Sequence, residues 1–389
     1  MAYFDVSVDS VPDDLLESEE TPTGRGSVEG FQVREVADNA WDNLAAGFRD
    51  VVLEQTDCFN VPRWGPECLK RLAFYENGAL VAAVSARTLS IPGTMVPFTV
   101  VRWGPMWRSV ETEDCPDRLP RLYSAVRQVL ADQQAGFLIL FPHSDPAHSA
   151  GVEQALHQAG FRAQKPSTAP ERYFVSLEGG QEAVKASLSQ KWRYNLKKAL
   201  KNGLTVDWET TSGGLSTFYD LYEQMVERKH FWDQSPIDTL ETLITRASTP
   251  LRPEIVLVRK DGEPVAGAVI DMSGERAIYL FGASSRAALP LRAGYLMQWA
   301  VIERLTAMPQ MRWYDLGGAD SAGSSLHQFK RGLAGKNGVI SDQPPMYVCA
   351  GSPLAFVLGH GALAARSAKQ ALAHGLHTLR YGSDGKTTR

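Results

Sequence analysis

The sequence of 389 residues predicts an α/β protein built from two tandem domains of one architecture. Three observations support this prediction. A turn flanked by apolar runs occurs twice, and the glycines at its centre, Gly78 and Gly262, are 184 positions apart. The same order of helix and strand follows both copies. The length suits two or three domains, and the hydrophobic share of 44% is typical of a packed globular chain.

Each copy of the repeat has the pattern of a β-hairpin followed by a helix and another strand. Asn-Gly and Asp-Gly favour two-residue hairpin turns, and apolar residues at helical spacing mark the helices. The first copy comprises Leu72–Tyr75, the turn Asn77-Gly78, Leu80–Ser85, the helix Leu119–Ala131 and the strand Gly136–Phe141. The second comprises Ile255–Val258, the turn Asp261-Gly262, Val265–Met272, the helix Gly294–Leu305 and the strand Arg312–Leu316. We therefore predict two mixed, mostly antiparallel sheets, each flanked by helices.

These elements divide the chain into four predicted segments. Residues 1–29, rich in Asp and Glu, are predicted to be a flexible acidic leader. Residues 30–178 are predicted to form the first domain and residues 179–345 the second. Residues 346–389 are predicted to be an Ala-rich helical tail. Its apolar and basic residues are compatible with two placements of the tail. It can pack on the protein, including the first domain, or it can contact an anionic membrane.

A basic helix is predicted between the two copies. Ser187 and Gln190 have the spacing of a capping box, and Gly203 is a natural helix stop. The surface of this helix carries five basic side chains: Lys191, Arg193, Lys197, Lys198 and Lys201. We predict that it binds a polyphosphate or a tRNA backbone, and a solvated helix face is the alternative.

The composition excludes several classes of protein. The formal net charge of −4 and the pI near 6.1 argue against a DNA-binding protein, so any site for a polyanion must be local. No apolar run approaches the roughly 20 residues that cross a bilayer, and the acidic N-terminus does not resemble a signal peptide. The four cysteines are scattered and the histidines lack metal-ligand spacing. We therefore expect a cytoplasmic protein without a metal site.

Four motifs carry a resemblance to a known family: Arg102-Trp103-Gly104-Pro105, Lys191-Trp192-Arg193-Tyr194-Asn195, Tyr314-Asp315-Leu316-Gly317-Gly318 and Phe329-Lys330-Arg331-Gly332. With these motifs the chain resembles the FemABX peptidyltransferases. Members of that family are tandem GNAT-like (acyl-CoA N-acyltransferase-like) enzymes that add amino acids to the peptide of a cell-wall precursor. The resemblance covers most of residues 31–345 and implies two GNAT-like domains.

The resemblance assigns a catalytic role first to Lys330, which in the family contacts the bound precursor near the reacting atoms. An ammonium on a flexible stem can also stabilise a phosphate or a developing oxyanion. Asp315, at a strand end, is the second predicted catalytic residue, placed to orient Lys330 or to accept the proton of the amine. The residues leave the base open among Asp271, Asp315, His327 and the substrate itself. Eight further residues are predicted to bind substrate: Phe329, Arg193, Lys191, Asn195, Tyr314, Gly317, Gly318 and Trp103.

Two departures from the family pattern bear on the substrates. Acyl-CoA-dependent relatives hold the pyrophosphate with a glycine-rich loop at a helix N-terminus. Here Leu289–Tyr295 contains one glycine, which favours aminoacyl-tRNA over acyl-CoA as the donor. The stretch Phe231–Thr239 lacks the Arg and Tyr with which relatives hold a nucleotide-sugar precursor. The acceptor can therefore also be an amino sugar or another peptide amine.

The sequence thus predicts an aminoacyl- or acyltransferase that needs no cofactor besides its donor. It would form an amide on a peptidoglycan-type cell-envelope precursor, nucleotide-linked or lipid-linked, in the cytoplasm at the inner face of the membrane. Two alternatives remain open. One is an acyl-CoA-dependent N-acyltransferase of polysaccharide synthesis, and the other is a non-catalytic tandem scaffold that binds a precursor.

Overall fold

The computed structural model describes residues 26–143, 145–164, 171–229, 236–318 and 324–381. Within these ranges the chain forms two sheets covered by helices. Eight strands form the first sheet: β1 (Gly26–Val28), β2 (Phe31–Glu35), β3 (Leu69–Glu76), β4 (Ala79–Ser90), β5 (Pro97–Arg102), β6 (Phe137–Phe141), β7 (Arg162–Gln164) and, much later in the chain, β15 (Met346–Ala350). Seven form the second: β8 (Glu171–Ser176), β9 (Leu204–Glu209), β10 (Glu254–Lys260), β11 (Glu263–Asp271), β12 (Arg276–Ser284), β13 (Trp313–Gly318) and β14 (Val339–Asp342).

Twelve α-helices in the described ranges connect and cover these strands: α1 (Asp38–Ala45), α2 (Asp57–Trp64), α3 (Leu119–Leu130), α4 (Ser149–Gln158), α5 (Gly180–Ser187), α6 (Gln190–Ala199), α7 (Ser212–Lys229), α8 (Leu240–Arg246), α9 (Ala288–Leu291), α10 (Ala293–Thr306), α11 (Ser325–Ala334) and α12 (Pro353–Tyr381). The strand order is β1-β2-β3-β4-β5-β6-β15-β7 in the first sheet and β14-β8-β13-β12-β11-β10-β9 in the second. The pairs β5–β6 and β12–β13 are parallel, and the other described pairs are antiparallel. The predicted fold class, two tandem domains with mixed, mostly antiparallel sheets, is confirmed.

The two hairpins of the repeat have the same turn. Asn77 and Gly78 have φ angles of 52° and 85°, and Asp261 and Gly262 have φ angles of 51° and 86°. Two successive residues with positive φ define the turn that matches the right-handed twist of the flanking strands. The repeat in the sequence is therefore a repeat in backbone geometry.

The structure moves three of the predicted segment boundaries. Strand β8 lies before residue 178 but pairs with β13 and β14, so it belongs to the second sheet rather than the first. Strand β15, assigned to the helical tail, pairs with β6 and β7 in the first sheet. Residues 26–28, assigned to the acidic leader, form β1 against β2. Most of the leader, residues 1–25, lies outside the described residues.

Each sheet is covered by helices on a face set by the strand period of two residues. Helices α3 and α4 cover the face of the first sheet that carries Phe74 and Leu138. In β10, Val256 packs against α6 and α10, whereas its neighbour Leu257 packs against α7 and α8. Successive strand residues point to opposite faces, so the second sheet is buried on both. No helix among the described residues has the length and apolar character needed to traverse a bilayer.

Charged groups join the two domains. Arg108 of the first domain donates two hydrogen bonds to the carboxylate of Glu275 in the second, one of them from Nη2 to Oε2 at 3.0 Å. The backbone N–H of Glu275 donates to the carbonyl oxygen of Arg49 at 2.8 Å. A Cβ at Gly274 would lie 2.7 Å from the same Arg49 oxygen, so the close approach of the domains requires glycine there.

Candidate functional site

Strands β12 and β13 separate after a short parallel pairing. Their register runs from Arg276–Trp313 to Ile278–Asp315, and β13 then bulges towards β8 before Gly318. Gly317 within the bulge has a φ of 70°, which glycine adopts without a steric penalty. The C-terminal parts of β12 and β13 therefore form an open wedge. It lies at the carboxyl ends of parallel strands, where α/β proteins usually bind ligands.

Lys330 lies at the end of this wedge. Helix α11 begins behind Ser324, whose Oγ accepts a hydrogen bond from the backbone N–H of His327 at 3.1 Å. The helix carries Lys330 to the end of β13, where Nζ donates to the carbonyl oxygen of Gly318 at 2.5 Å. The residue is 8% exposed. The predicted residues Lys330, Gly317 and Gly318 therefore lie together, with a positive charge held at the strand end.

A second group at the same end of the sheet consists of Glu171, Tyr173 and His327. The Tyr173 hydroxyl donates to Oε2 of Glu171 at 2.7 Å and lies 2.5 Å from Nδ1 of His327. Burial, followed by the hydrogen bond to Glu171, raises the pKa of Tyr173 above its ordinary value. Tyr173 and His327 are buried, while the Glu171 side chain is 45% exposed. A hydrogen-bonded chain thus runs from the interior to solvent beside Lys330.

Phe329, predicted to bind substrate, belongs to an aromatic cluster. Its ring centroid lies 4.9 Å from that of Tyr295 on α10 and 5.8 Å from that of Trp192 on α6. Trp192 is buried, and the other two rings are partly exposed. Helices α6, α10 and α11 are therefore tied together next to the wedge, which fixes the helix that carries Lys330.

The basic helix α6 presents fewer residues to a ligand than the sequence predicts. Arg193 Nη1 donates to the carbonyl oxygens of Ala186 and Leu188, and so closes the end of α5. Asn195 is buried, and its amide donates to the carbonyl oxygen of Lys191 within the same helix. The predicted capping box at Ser187 is wrong by two residues, because Ser189 caps α6.

The exposed part of this surface lies next to the start of α10. Lys191, Lys197 and Lys198 are exposed, and Lys198 Nζ lies 4.6 Å from the centroid of the Tyr194 ring. The hydrogen bond from Lys198 lowers the pKa of the Tyr194 hydroxyl. The Asn202 amide donates to the carbonyl oxygen of Leu291 at 2.8 Å, so the end of α6 is fixed to α9. A basic surface therefore borders the N-terminal end of α10.

Asp315 has a different environment from the one predicted. It is fully buried, its Oδ2 accepts from Nε of Arg172 at 2.8 Å and lies 3.8 Å from Nη1 of Arg276. Its Oδ1 accepts from the backbone N–H of Gly317 at 2.8 Å. An acid held in this way anchors the domain interface and the bulge of β13. The interpretation of Asp315 as a proton acceptor is therefore corrected to a structural one.

Two other residues predicted to bind substrate are also buried in the framework. Tyr314 is fully buried, and its hydroxyl donates to Oε1 of Gln298 on α10 at 2.8 Å. Trp103, 5% exposed, lies under the guanidinium groups of Arg172 and Arg276, at 4.5 and 5.3 Å from the ring centroid. Both residues are placed to support the ends of parallel strands rather than to contact a ligand.

An arginine-lined cavity lies on the first sheet, between its outer face, α2 and α12. Arg87 of β4 and Arg102 of β5 line it from the sheet, and Arg366 lines it from α12. The Arg87 guanidinium stacks on Trp64 of α2 at 3.5 Å from the ring centroid. The cavity has a volume of about 60 Å³, several times what one water requires.

Two acceptors complete this cavity. Oε2 of Glu54 and Oγ of Ser85 are buried in its wall, and neither has a hydrogen-bond partner among the described residues. Three guanidinium groups and one carboxylate give the lining an excess of positive charge. Such a lining suits a phosphate or carboxylate group, since guanidinium donors match the oxygens of these anions.

Two stretches of the chain were used above to predict the substrates, and the structure describes only one of them completely. The one-glycine stretch forms α9 followed by Arg292 with a φ of 58°, and a Cβ at Gly294 would meet no atom within 4 Å. The stretch from Phe231 to residue 235 lies outside the described residues. In the described part of the chain, no group of His, Cys, Asp and Glu side chains has the arrangement of a metal site.

The sequence did not identify Glu171, Tyr173 or the arginine cavity. Tyr173 and His327 are 154 positions apart and share no motif, so only the fold brings them together. Arg87 and Arg102 gave a signal that could have been used. Each is a charged residue in a central strand, at a position where the alternation of side chains along the strand predicts an apolar residue.

Comparisons with known proteins agree with this geometry. Residues 186–331 match the family model described as the acetyltransferase (GNAT) domain. No curated protein sequence gives a significant match. The chain is similar to the crystal structure of FemX, with 16% identity, a TM-score of 0.65, and coverage of 82% of this chain and 96% of that one. It is also similar to a conserved protein of unknown function from Bacteroides thetaiotaomicron, with 11% identity, a TM-score of 0.52, and coverage of 82% and 98%.

These matches assign a GNAT domain to residues 186–331 and show that the chain as a whole shares its fold with FemX. The predicted resemblance to FemABX-type tandem GNAT proteins is thereby confirmed at the level of the fold. At such low identity, the likeness extends to the backbone and not to the substrates. Donor and acceptor must therefore be argued from the side chains.

Proposed function

We propose that the chain is an acyltransferase that forms an amide on an amine of an anionic cell-envelope precursor, with aminoacyl-tRNA as the donor. The observation that carries this proposal is the open wedge between β12 and β13 with Lys330 at its end. A carbonyl group bound there develops negative charge as the amine attacks. The Lys330 ammonium is placed to stabilise that charge, and the low exposure of the site strengthens the interaction.

The acceptor is argued from the arginine cavity. Arg87, Arg102 and Arg366 suit the phosphate or carboxylate groups that precursors linked to a nucleotide or a lipid carry. The four sequence motifs resemble those of the FemABX peptidyltransferases, which act on a cell-wall precursor, and this resemblance supports a precursor of the same general class. Peptidoglycan-type chemistry at the cytoplasmic face of the membrane is part of the proposal.

The donor is argued from the surface at the start of α10. The exposed side chains of Lys191, Lys197, Lys198 and Arg292 suit the phosphates of a tRNA acceptor end. The stretch before α10 has a single glycine, so it lacks the repeated close approach of backbone that a pyrophosphate loop uses. An ester of tRNA therefore fits better than a thioester of CoA.

One observation favours a second candidate, an acyl-CoA-dependent N-acyltransferase. Gly294 in the first turn of α10 has no atom within 4 Å of its Cβ position, so the helix N-terminus is open to a phosphate. The family model that matches residues 186–331 is that of an acetyltransferase domain. Both donors would use the same wedge.

Mass spectrometry of candidate acceptors, incubated with charged tRNA or with acyl-CoA, tests the proposal. Transfer from charged tRNA is expected; transfer from acyl-CoA alone would select the second candidate. Binding without transfer from either donor would make the chain a precursor-binding scaffold.

Lys330→Ala is expected to lower kcat about 100- to 1000-fold, as loss of an oxyanion donor does, without unfolding the chain. Lys336→Ala, an exposed lysine just beyond α11, is the matched control and should leave kcat unchanged. Arg87→Ala should raise the KM for the acceptor about 10-fold at unchanged kcat. Arg34→Ala, which removes a guanidinium stacked on Tyr75 outside the cavity, should leave the KM for the acceptor unchanged. Wild-type turnover in Lys330→Ala would refute the site.

A further inference from the structure

The chain formed by Glu171, Tyr173 and His327 fixes the proton arrangement of the histidine. Burial and the bond to Glu171 raise the pKa of Tyr173, so the phenol keeps its proton and donates it to Glu171. The same hydroxyl oxygen can then only accept from His327, which places a hydrogen on Nδ1. In a neutral imidazole the other nitrogen, Nε2, is then the basic one.

This histidine lies at the reacting end of the second domain. His327 and Lys330 are one turn apart on α11, and residues at this spacing share a helix face. Arg172, the neighbour of Tyr173 in β8, is the strand partner of Gly318, whose carbonyl oxygen binds Lys330. The lysine therefore lies at the end of β13, and the histidine lies beside it against the adjoining strand β8.

We propose that Nε2 of His327 is the general base of the transfer, with Tyr173 and Glu171 as positioning residues that hold its tautomer. This inference rests on the proposed function. The neutral amine attacks the acyl carbonyl carbon, and a C–N bond forms. His327 takes one proton from that nitrogen. The C–O ester bond then breaks, and the imidazolium returns the proton to the leaving oxygen, so the amide and the free hydroxyl are the only products.

The other acids that the sequence left open are less suited to this role. Asp315 is engaged by Arg172 and by the N–H of Gly317. Asp271 is buried, and its Oδ1 accepts hydrogen bonds from the backbone N–H and the hydroxyl of Ser273. The charged groups around His327 are Glu171 on β8, Lys330 and Arg331 on α11, and Asp342 on β14, which pairs with Glu171. The carboxylate of Glu171 is placed to stabilise the imidazolium through Tyr173.

The experiment compares kcat and the pH dependence of kcat/KM in three variants. His327→Gln is expected to lower kcat about 100- to 10,000-fold and to remove the limb that reports the histidine. Glu171→Gln and Tyr173→Phe are expected to retain measurable turnover at a reduced kcat, because the Nδ1–H tautomer of His327 is no longer held. His157→Gln, which changes a half-exposed histidine on α4, is the matched control and should behave as wild type. A His327→Gln chain with wild-type kcat and pH profile would overturn the assignment.

A measurement without substrate separates this inference from the proposed function. The ¹⁵N NMR shifts of His327 in the unliganded protein should report the Nδ1–H tautomer, and Tyr173→Phe should abolish that preference. An Nε2–H tautomer in the wild type would overturn the assignment of the base even if transfer is observed. A wild-type chain that transfers nothing from either donor would instead refute the proposed function, and the role of the base with it.

Discussion

The two copies of the repeat differ most where their parallel strands end. Ala86 pairs with Val101, and Ile270, 184 positions later, pairs with Tyr279, so Val101 and Tyr279 occupy equivalent places. In the first copy the parallel pairing continues to Arg102 and Phe141, and the Trp103 N–H adds a bond to the carbonyl oxygen of Phe141 at 2.7 Å. In the second copy the pairing stops one residue before Tyr279, at Ile278.

Because of this difference, the two copies have different roles in the molecule. The strand ends of the first copy are closed by backbone pairing and covered by Trp103 and the arginines of the second domain. Those of the second copy are open and carry Lys330. The same topology thus forms a closed domain interface in the first copy and a candidate reaction site in the second. A fold by itself does not determine a site.

The largest expected effect concerns Arg172, which packs over Trp103 at the closed strand ends of the first copy. Arg172→Ala removes the 2.8 Å partner of the fully buried Asp315 and one guanidinium from Trp103. We expect the free energy of unfolding to fall by about 3–5 kcal/mol, as when one member of a buried ion pair is deleted. Urea unfolding followed by tryptophan fluorescence measures this loss. Arg304→Ala, which deletes a partly exposed pair with Glu254, should cost under about 1 kcal/mol. Equal losses in the two variants would contradict a sealing role for Arg172.

A second test uses a position at which the copies carry opposite charges. Asp271 of β11 corresponds to Arg87 of β4, and burial raises the pKa of Asp271 from 3.8 to about 6. At low pH the buried Asp271 side chain is protonated in the folded chain, and this uncharged form contributes to the free energy of unfolding. As the pH rises through 6 the carboxyl ionises where burial disfavours a charge, so the contribution is lost.

Asp271→Asn should therefore be more stable than the wild type at pH 7.5 by about 1–3 kcal/mol, with the gain vanishing towards pH 4. Unfolding free energies at several pH values measure the gain. The exposed Asp220→Asn serves as a control and should show no such trend. A gain that is independent of pH would show that the burial of charge is not its cause.

The smallest expected effect tests what the copies share. Gly78 and Gly262 have nearly equal φ angles, and no atom lies within 4 Å of either Cβ position. Gly78→Ala and Gly262→Ala should each cost about 1 kcal/mol through backbone strain alone. Their thermal unfolding midpoints should therefore fall by similar amounts. A difference above about 1 kcal/mol would mean that the two turns are not equivalent.

Local signals in the sequence predicted the repeat, because two-residue turns and helical spacing act over a few positions. The pairing of β8 with β13 and of β15 with β6 depends on contacts between residues at least 137 positions apart, so the boundary at residue 178 was wrong. The motifs placed Lys330 beside Gly317 and Gly318. They did not distinguish Asp315, Tyr314 and Trp103, which support the strands, from residues that face a ligand. Burial separates these two roles, and it is not a property of a motif.

The return of β15 to the first sheet has a consequence for synthesis on the ribosome. β15 lies between β6 and β7, so the first sheet stays interrupted until residues 346–350 emerge. At about 5–20 residues per second, β6 waits on the order of 10–40 s for its partner. All strands of the second sheet leave the ribosome before that moment. The domain that begins first in the sequence is therefore completed last, and its unpaired edge is the segment that nascent-chain chaperones would have most reason to shield.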